Sequence, residues 1–263
     1  VSRAFHAASS GRPGPVVLGL PEDMLGGKAD LPAALAARVA GPAPAPADMA
    51  ALEKQLAKAK RPIMIVGGPG WSADVQTRLQ AWAKRFDLPV ATAFRFQDYV
   101  DNRHPNYVGH AAIGVDGKLG EALKNADLLI VIGARLGEIT TQGYGLLAIP
   151  NPKQTFVHIH PSPDELGQVY RAEIAIASTA AHFVDALEKI APPKTLVWSA
   201  ERAALRKAFE AYARPIETPG DVKLEQVVGQ VSQMLAEDAI VTNGAGNYAG
   251  FVHRYFTYKG FRT

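Results

Sequence analysis

The sequence predicts an α/β fold, a parallel sheet with helices on both faces. Three observations predict it. Short apolar runs alternate with helix-period segments between residues 48 and 193. One run, 127–133, is almost wholly apolar, the pattern of a strand covered on both sides. Ile63-Met64-Ile65-Val66 leads straight into Gly67-Gly68-Pro69-Gly70, and a helical pattern starts near Ser72. Strand, glycine turn and helix in that order open a nucleotide-binding βαβ unit.

The elements follow in order. Residues 1–25 read as a helix end, a loop at 9–14 and a strand at 15–20 that Pro21 stops. Residues 41–47, Gly-Pro-Ala-Pro-Ala-Pro-Ala, form an extended linker, because alternating prolines hold the chain open. Then come helix 48–60, strand 62–67 and helix 73–86, with Val75, Leu79, Trp82 and Phe86 spaced for one face. Strand 89–92, helix 117–125, strands 127–133, 155–160 and 174–177, and helix 180–190 complete the alternation, which Pro192-Pro193 closes. Helix 199–213 carries both signs of charge and reads as a solvated connector. Helix 222–236 and strand 239–242 lead to Asn243-Gly244-Ala245-Gly246-Asn247, a second glycine turn that opens a helix through Tyr248 and Phe251.

This divides the chain into 1–28, the end of one domain; 29–47, a Pro/Ala linker; 48–193, a central Rossmann-like domain; and 194–263, a connecting helix and the start of a further domain. A chain that opens on Val1 and closes on Thr263 within an aromatic-rich stretch reads as a piece of a longer protein.

Composition narrows the function. A hydrophobic share of 48% suffices for a real core. A net charge of +3 without a Lys/Arg run makes no case for nucleic acid, and no apolar run reaches membrane-spanning length. The absence of cysteine removes disulfides, Cys-ligated zinc and cysteine nucleophiles, and fits a cytoplasmic location.

Gly67, Gly68 and Gly70 can bring backbone N–H groups close to a phosphate, or can simply end a strand. Arg135, after the apolar run 127–133, is placed to meet a phosphate or ribose, or to pair with Glu138. Phe94-Arg95-Phe96-Gln97-Asp98-Tyr99 suits the mouth of a pocket, or a loop packed on the domain. His158 and His160 alternate on one strand and could share a metal, but no carboxylate cluster completes a ligand set, and hydrogen-bonded histidines are the better reading. No metal ligand and no catalytic residue is assigned within this chain.

Taken together these segments resemble the thiamine-diphosphate-dependent enzymes of the acetolactate synthase, pyruvate oxidase and benzoylformate decarboxylase superfamily. Gly11-Arg12-Pro13-Gly14-Pro15-Val16-Val17-Leu18 with Leu20-Pro21-Glu22-Asp23 looks like the end of that family's pyrimidine-binding domain. Arg61 to Gly70, Pro89-Val90-Ala91-Thr92, His104 to Gly109, Ala126 to Arg135, Val157-His158-Ile159 and Glu165-Leu166-Gly167 follow its middle, NAD/FAD-binding type domain in order. Asp238 to Gly244 looks like the start of its diphosphate-binding domain.

The resemblance implies a parent enzyme that uses thiamine diphosphate and Mg2+ on a 2-oxo acid, as a homo-oligomer of two or four subunits. It implies that Gly244, Ala245, Gly246 and Asn247 face the diphosphate, and that Gly67, Gly68, Gly70 and Arg135 face any FAD or other adenine nucleotide. Two departures argue against FAD: Ala111-Ala112-Ile113-Gly114 stands where relatives carry a Gly-Met-His-Gly-like stretch, and His160 where they carry an aspartate. A decarboxylase of the benzoylformate or oxalyl-CoA type, and a nucleotide-binding or scaffold domain without catalysis, are the alternatives. The glutamate that activates the cofactor and the Gly-Asp-Gly metal motif do not occur here, so the 263-residue chain alone is expected to be inactive.

Overall fold

The computed structural model describes residues 1–263. Six strands, β1 (Pro62–Val66), β2 (Val90–Ala93), β3 (Tyr107–Ala111), β4 (Leu128–Ile132), β5 (Thr155–His160) and β6 (Ile174–Ala177), form one sheet. Every pairing is parallel and the spatial order is β3-β2-β1-β4-β5-β6. β1 and β4 lie side by side, Pro62 opposite Leu128 and Val66 opposite Ile132. The strand order reverses between them, so their carboxyl ends flank the crevice where such sheets take ligands.

The helices are α1 (Ser2–Ser9), α2 (Glu22–Leu25), α3 (Pro46–Leu56), α4 (Ala73–Phe86), α5 (Gly117–Asn125), α6 (Ala180–Leu187), α7 (Ser199–Tyr212), α8 (Leu224–Met234) and α9 (Ala249–Tyr255). On one face of the sheet, Leu56 of α3, Leu79 and Trp82 of α4 and Phe183 of α6 pack on Met64, Val66, Ile130 and Ile132. On the other, Leu119 and Leu123 of α5 and Leu205 of α7 pack near Ile63, Ile65, Leu129 and Val131. Alternate residues of β1 and β4 enter alternate cores, as the strand pleat requires. Each such aliphatic side chain contributes about 1.5–3 kcal/mol by leaving water.

Local chemistry sets the element ends. The Ser72 hydroxyl accepts the Val75 N–H at the start of α4, Asp74 stands in its first turn, and Lys84 and Arg85 stand in its last. Asp87 then turns into the left-handed region and stops it. Asp116 caps α5 and Thr179 caps α6 in the same way. Asp127 takes the Lys60 and Arg61 N–H groups at 2.7 and 2.8 Å, which ties the entry of β1 to the entry of β4.

Four expectations are corrected. Residues 15–20 are extended but pair with no strand and are exposed, because no neighbouring edge lies beside them. Residues 239–242 likewise join no sheet; Val241 N–H reaches only the Thr263 carbonyl, at 2.8 Å. β3 is a strand that the sequence does not announce. Gly109 within it, at φ +113°, and a register shift against β2 break the apolar alternation. α7 is no free connector: Trp198 is buried with its Nε1–H on the Phe86 carbonyl, and Phe209 meets Tyr107 edge-on at 4.9 Å. The final residues also pack on the central domain, with Asn102 and Tyr258 exchanging two hydrogen bonds and Arg262 N–H reaching Asp98. No helix is long and apolar enough to cross a membrane.

Candidate functional site

The carboxyl ends of β1 and β4 open into a cavity of about 620 Å³. Gly68 lines it from the turn after β1, and Gly133, Ala134 and Arg135 line it from the turn after β4. Gly68 and Gly133 adopt φ of +74° and +76°, which L side chains resist. Side chains hold the turn. Trp71 Nε1–H donates to the Gly67 carbonyl and the Tyr99 hydroxyl donates to the Gly68 carbonyl, both at 2.9 Å. The Tyr99 ring packs on Trp71 and Phe96, so the aromatic loop after β2 forms a cavity wall, as its composition suggests.

The predicted residues divide. Gly68 and Arg135 line the cavity. Gly67 lies behind it, where a Cβ would stand 2.9 Å from Ala93 and Phe96. Gly70, at φ +83°, has open space around it and does not line the cavity. Arg135 pairs with Glu165, at 3.1 Å, and not with Glu138. Arg12, from the segment before the linker, reaches the same carboxylate at 2.9 Å and lines the same cavity. Glu165 is nearly buried between two half-exposed guanidiniums. No sequence signal marks a pair 153 residues apart.

His158 and His160 do not make a metal centre. His158 donates Nε2–H to the Ala134 carbonyl at 2.8 Å, and burial lowers its pKa to about 4. His160 Nδ1 accepts the Ser162 N–H at 3.0 Å. Nδ1 also lies 3.1 Å from the Ser162 carbonyl, and burial lowers the His160 pKa, which favours the neutral ring. Nε2 is buried without a partner, and His160 lines the cavity. No group of three His, Cys, Asp or Glu side chains gathers closely enough to hold a metal.

A second cavity, of about 670 Å³, adjoins the first, and Phe94 and Ile139 line both. Asn243, Gly244, Ala245 and Gly246 form one side of it, and Asn247 does not line it. The Tyr248 ring lies against this turn: a Cβ on Gly244 would stand 2.5 Å from its hydroxyl, and one on Gly246 2.5 Å from the ring edge. A side chain at either glycine would therefore require the exposed Tyr248 ring to move.

Residues 49–187 match the family described as "Thiamine pyrophosphate enzyme, central domain". Over 259 residues the chain is 29% identical to the acetolactate synthase large subunit of Parasynechococcus marenigrum, an alignment covering 94% of this chain and 41% of that protein. It is 26% identical over 252 residues to acetolactate synthase isozyme 2 large subunit of Escherichia coli, covering 94% and 44%. With the mitochondrial acetolactate synthase catalytic subunit of Saccharomyces cerevisiae it shares 26% over 284 residues, covering 98% and 41%. The chain thus spans about two fifths of the length of these curated relatives.

Proposed function

The chain belongs to the thiamine pyrophosphate enzymes through its central domain, and from that premise we propose that it is the central part of an acetolactate synthase-like enzyme that joins or decarboxylates 2-oxo acids. The observation that carries this reading is the second cavity. Phe94, Arg95, Gln97 and Asp98 of the central domain and the 243–246 turn face this one space, which supports a substrate and a cofactor meeting there.

In this reading thiamine diphosphate, with Mg2+, is held at the turn Gly244-Ala245-Gly246-Asn247. The small residues let backbone N–H groups approach the diphosphate. When bound there, the cofactor would supply the electron sink that decarboxylation of a 2-oxo acid needs. The chain's own part is to shape the space and limit water: Phe94, Ile113 and Ile139 give the pocket apolar walls.

The first cavity is the proposed place for any adenine nucleotide, with Ile113 and His160 standing against FAD. Gly68 and Arg135 suit a phosphate, and the buried His160 Nε2 beside them has no partner within the chain. Gly67 and Gly70 keep the turn's backbone narrow without lining the space. A homo-oligomer of two or four subunits and a cytoplasmic location belong to the same proposal. No observation favours the benzoylformate or oxalyl-CoA decarboxylase reading, or the scaffold.

The test is a thiamine diphosphate titration with Mg2+, followed by intrinsic fluorescence, in the longer protein that contains this chain. Saturable binding coupled to acetolactate formation from pyruvate is expected, and Gly246→Val should weaken binding at least tenfold. A Gly246→Val protein that binds as tightly as wild type would reject the turn, and absence of any 2-oxo acid turnover would reject the reading.

A further inference from the structure

The second cavity contains two groups whose hydrogen-bonding capacity the fold leaves unused. Gln97 is 4% exposed and lines the cavity, and its Nε2 has no partner. Buried amide groups are seldom left so, because the lost hydrogen bonds to water are then uncompensated. Two residues earlier, Arg95 stands in the left-handed region at φ +67°. A non-glycine residue held there is strained, and such strain concentrates where a side chain must be aimed. Arg95 enters none of the chain's ion pairs. Its guanidinium lies 5.0 Å from the centre of the Phe94 ring.

The remaining polar groups define the charge of the space. Asp98 Oδ2 accepts the Arg262 N–H at 2.8 Å, and burial raises the Asp98 pKa. His253 is held toward its neutral form, first by burial and then by Arg95. Ile113, 53% exposed, and Ile139, 41% exposed, line the same cavity. Two isoleucines left open in one space with a guanidinium and an amide give the pocket both apolar and polar walls.

We propose that Arg95 and Gln97 bind the carboxylate of the 2-oxo acid, with its alkyl or aryl group against Phe94, Ile113 and Ile139. This rests on the 2-oxo acid reading above and names the residues that select the acid. Arg95 and Arg262 both line the cavity and the Asp98 carboxylate offsets one of them, so one net positive charge and a neutral amide match a monoanion better than a phosphate dianion. An acid held there presents its oxo carbon within the cavity that the Gly244–Gly246 turn also lines.

The experiment uses the longer protein that contains this chain, free of cofactor, and ligand-observed NMR titration with pyruvate, 2-oxobutyrate and benzoylformate. Pyruvamide, which lacks the charge, and inorganic phosphate serve as controls. The acids are expected to bind, with pyruvamide and phosphate at least tenfold weaker. Arg95→Gly should lose at least tenfold in acid affinity; glycine suits φ +67°, so the variant keeps its fold. Gln97→Leu should lose about threefold or more, and Arg95→Lys should keep part of the binding. Wild-type affinity in both Arg95→Gly and Gln97→Leu overturns the proposal, as does phosphate binding equal to that of the acids. Thiamine diphosphate is titrated in parallel. Cofactor binding without acid binding overturns this pocket alone, and absence of both overturns the 2-oxo acid reading with it.

Discussion

Gly68 and Gly133 meet backbone to backbone: a Cβ on Gly68 would fall inside the carbonyl of Gly133, well within van der Waals contact. The turns after β1 and β4 therefore touch at the mouth of the crevice, and neither glycine has room to be anything else. Gly70, two residues on, has a similar positive φ but open space around it.

Gly68→Ala is expected to destabilise the fold by about 3 kcal/mol or more, because it adds a backbone clash to a left-handed conformation. Gly70→Ala should lose only about 1–2 kcal/mol, the conformational part alone. Urea denaturation of the two variants checks this. Equal losses would show that the close approach at Gly68 carries no weight.

Acid should weaken the central domain through its histidines. Burial holds His110 and His158 at about 4, below the ordinary 6.5. Both are neutral in the fold, while the unfolded chain takes up their protons from pH 6.5 downward. Their stabilisation is thus full above pH 6.5 and is lost as pH falls from 6.5 to 4, by on the order of 3 kcal/mol each. Urea denaturation at pH 7 and pH 4.5 should show the loss, and His158→Gln should remove about half of it. A pH-independent midpoint across this window would contradict the burial.

Arg206 is the clasp of α7. One terminal nitrogen donates to the Asn102, His104 and Tyr107 carbonyls at 2.8, 3.0 and 3.1 Å, while Nε reaches Glu210. Arg206→Ala leaves three carbonyls short of a donor and should destabilise by about 2–3 kcal/mol. Amide exchange in 102–107 should accelerate with it. Unchanged exchange there would show that water replaces the guanidinium without loss.

Glu165 pairs with both Arg12 and Arg135 beside the first cavity and offsets one of their two charges. Glu165→Gln should free one net positive charge and tighten ADP binding roughly fivefold, about 1 kcal/mol for a partly exposed pair. Arg135→Ala should weaken it. Calorimetric titration with ADP checks both, and a Glu165→Gln protein that binds ADP more weakly would reverse the role given to this carboxylate.

Where a segment carries its own signals, the sequence is legible. α4 runs over 73–86 as its apolar spacing predicts, because Ser72, Asp74 and the terminal Lys84-Arg85 all favour the same ends. α5 runs over 117–125 for the same reason. β3 escapes notice because Gly109 and His110 interrupt it and its stability comes from β2 and α7. Residues 15–20 and 239–242 mislead in the opposite sense. Both have strand-like composition, but a strand exists only with a partner, and neither has one.

By itself the sequence determined the class of the fold, the alternation of strands and helices, and the glycine turns at 67–70 and 243–247. These depend on periodicity, capping and φ preference, which act within a few residues. Only the tertiary structure decided that Glu165 joins Arg12 to Arg135, that His160 is buried beside the crevice with Nε2 unpartnered, and that Arg95 and Gln97 share a cavity with the second turn. Those relations join residues far apart in the chain. They arise when the parallel sheet gathers its loops at one edge, and nothing local to any of these residues encodes the meeting.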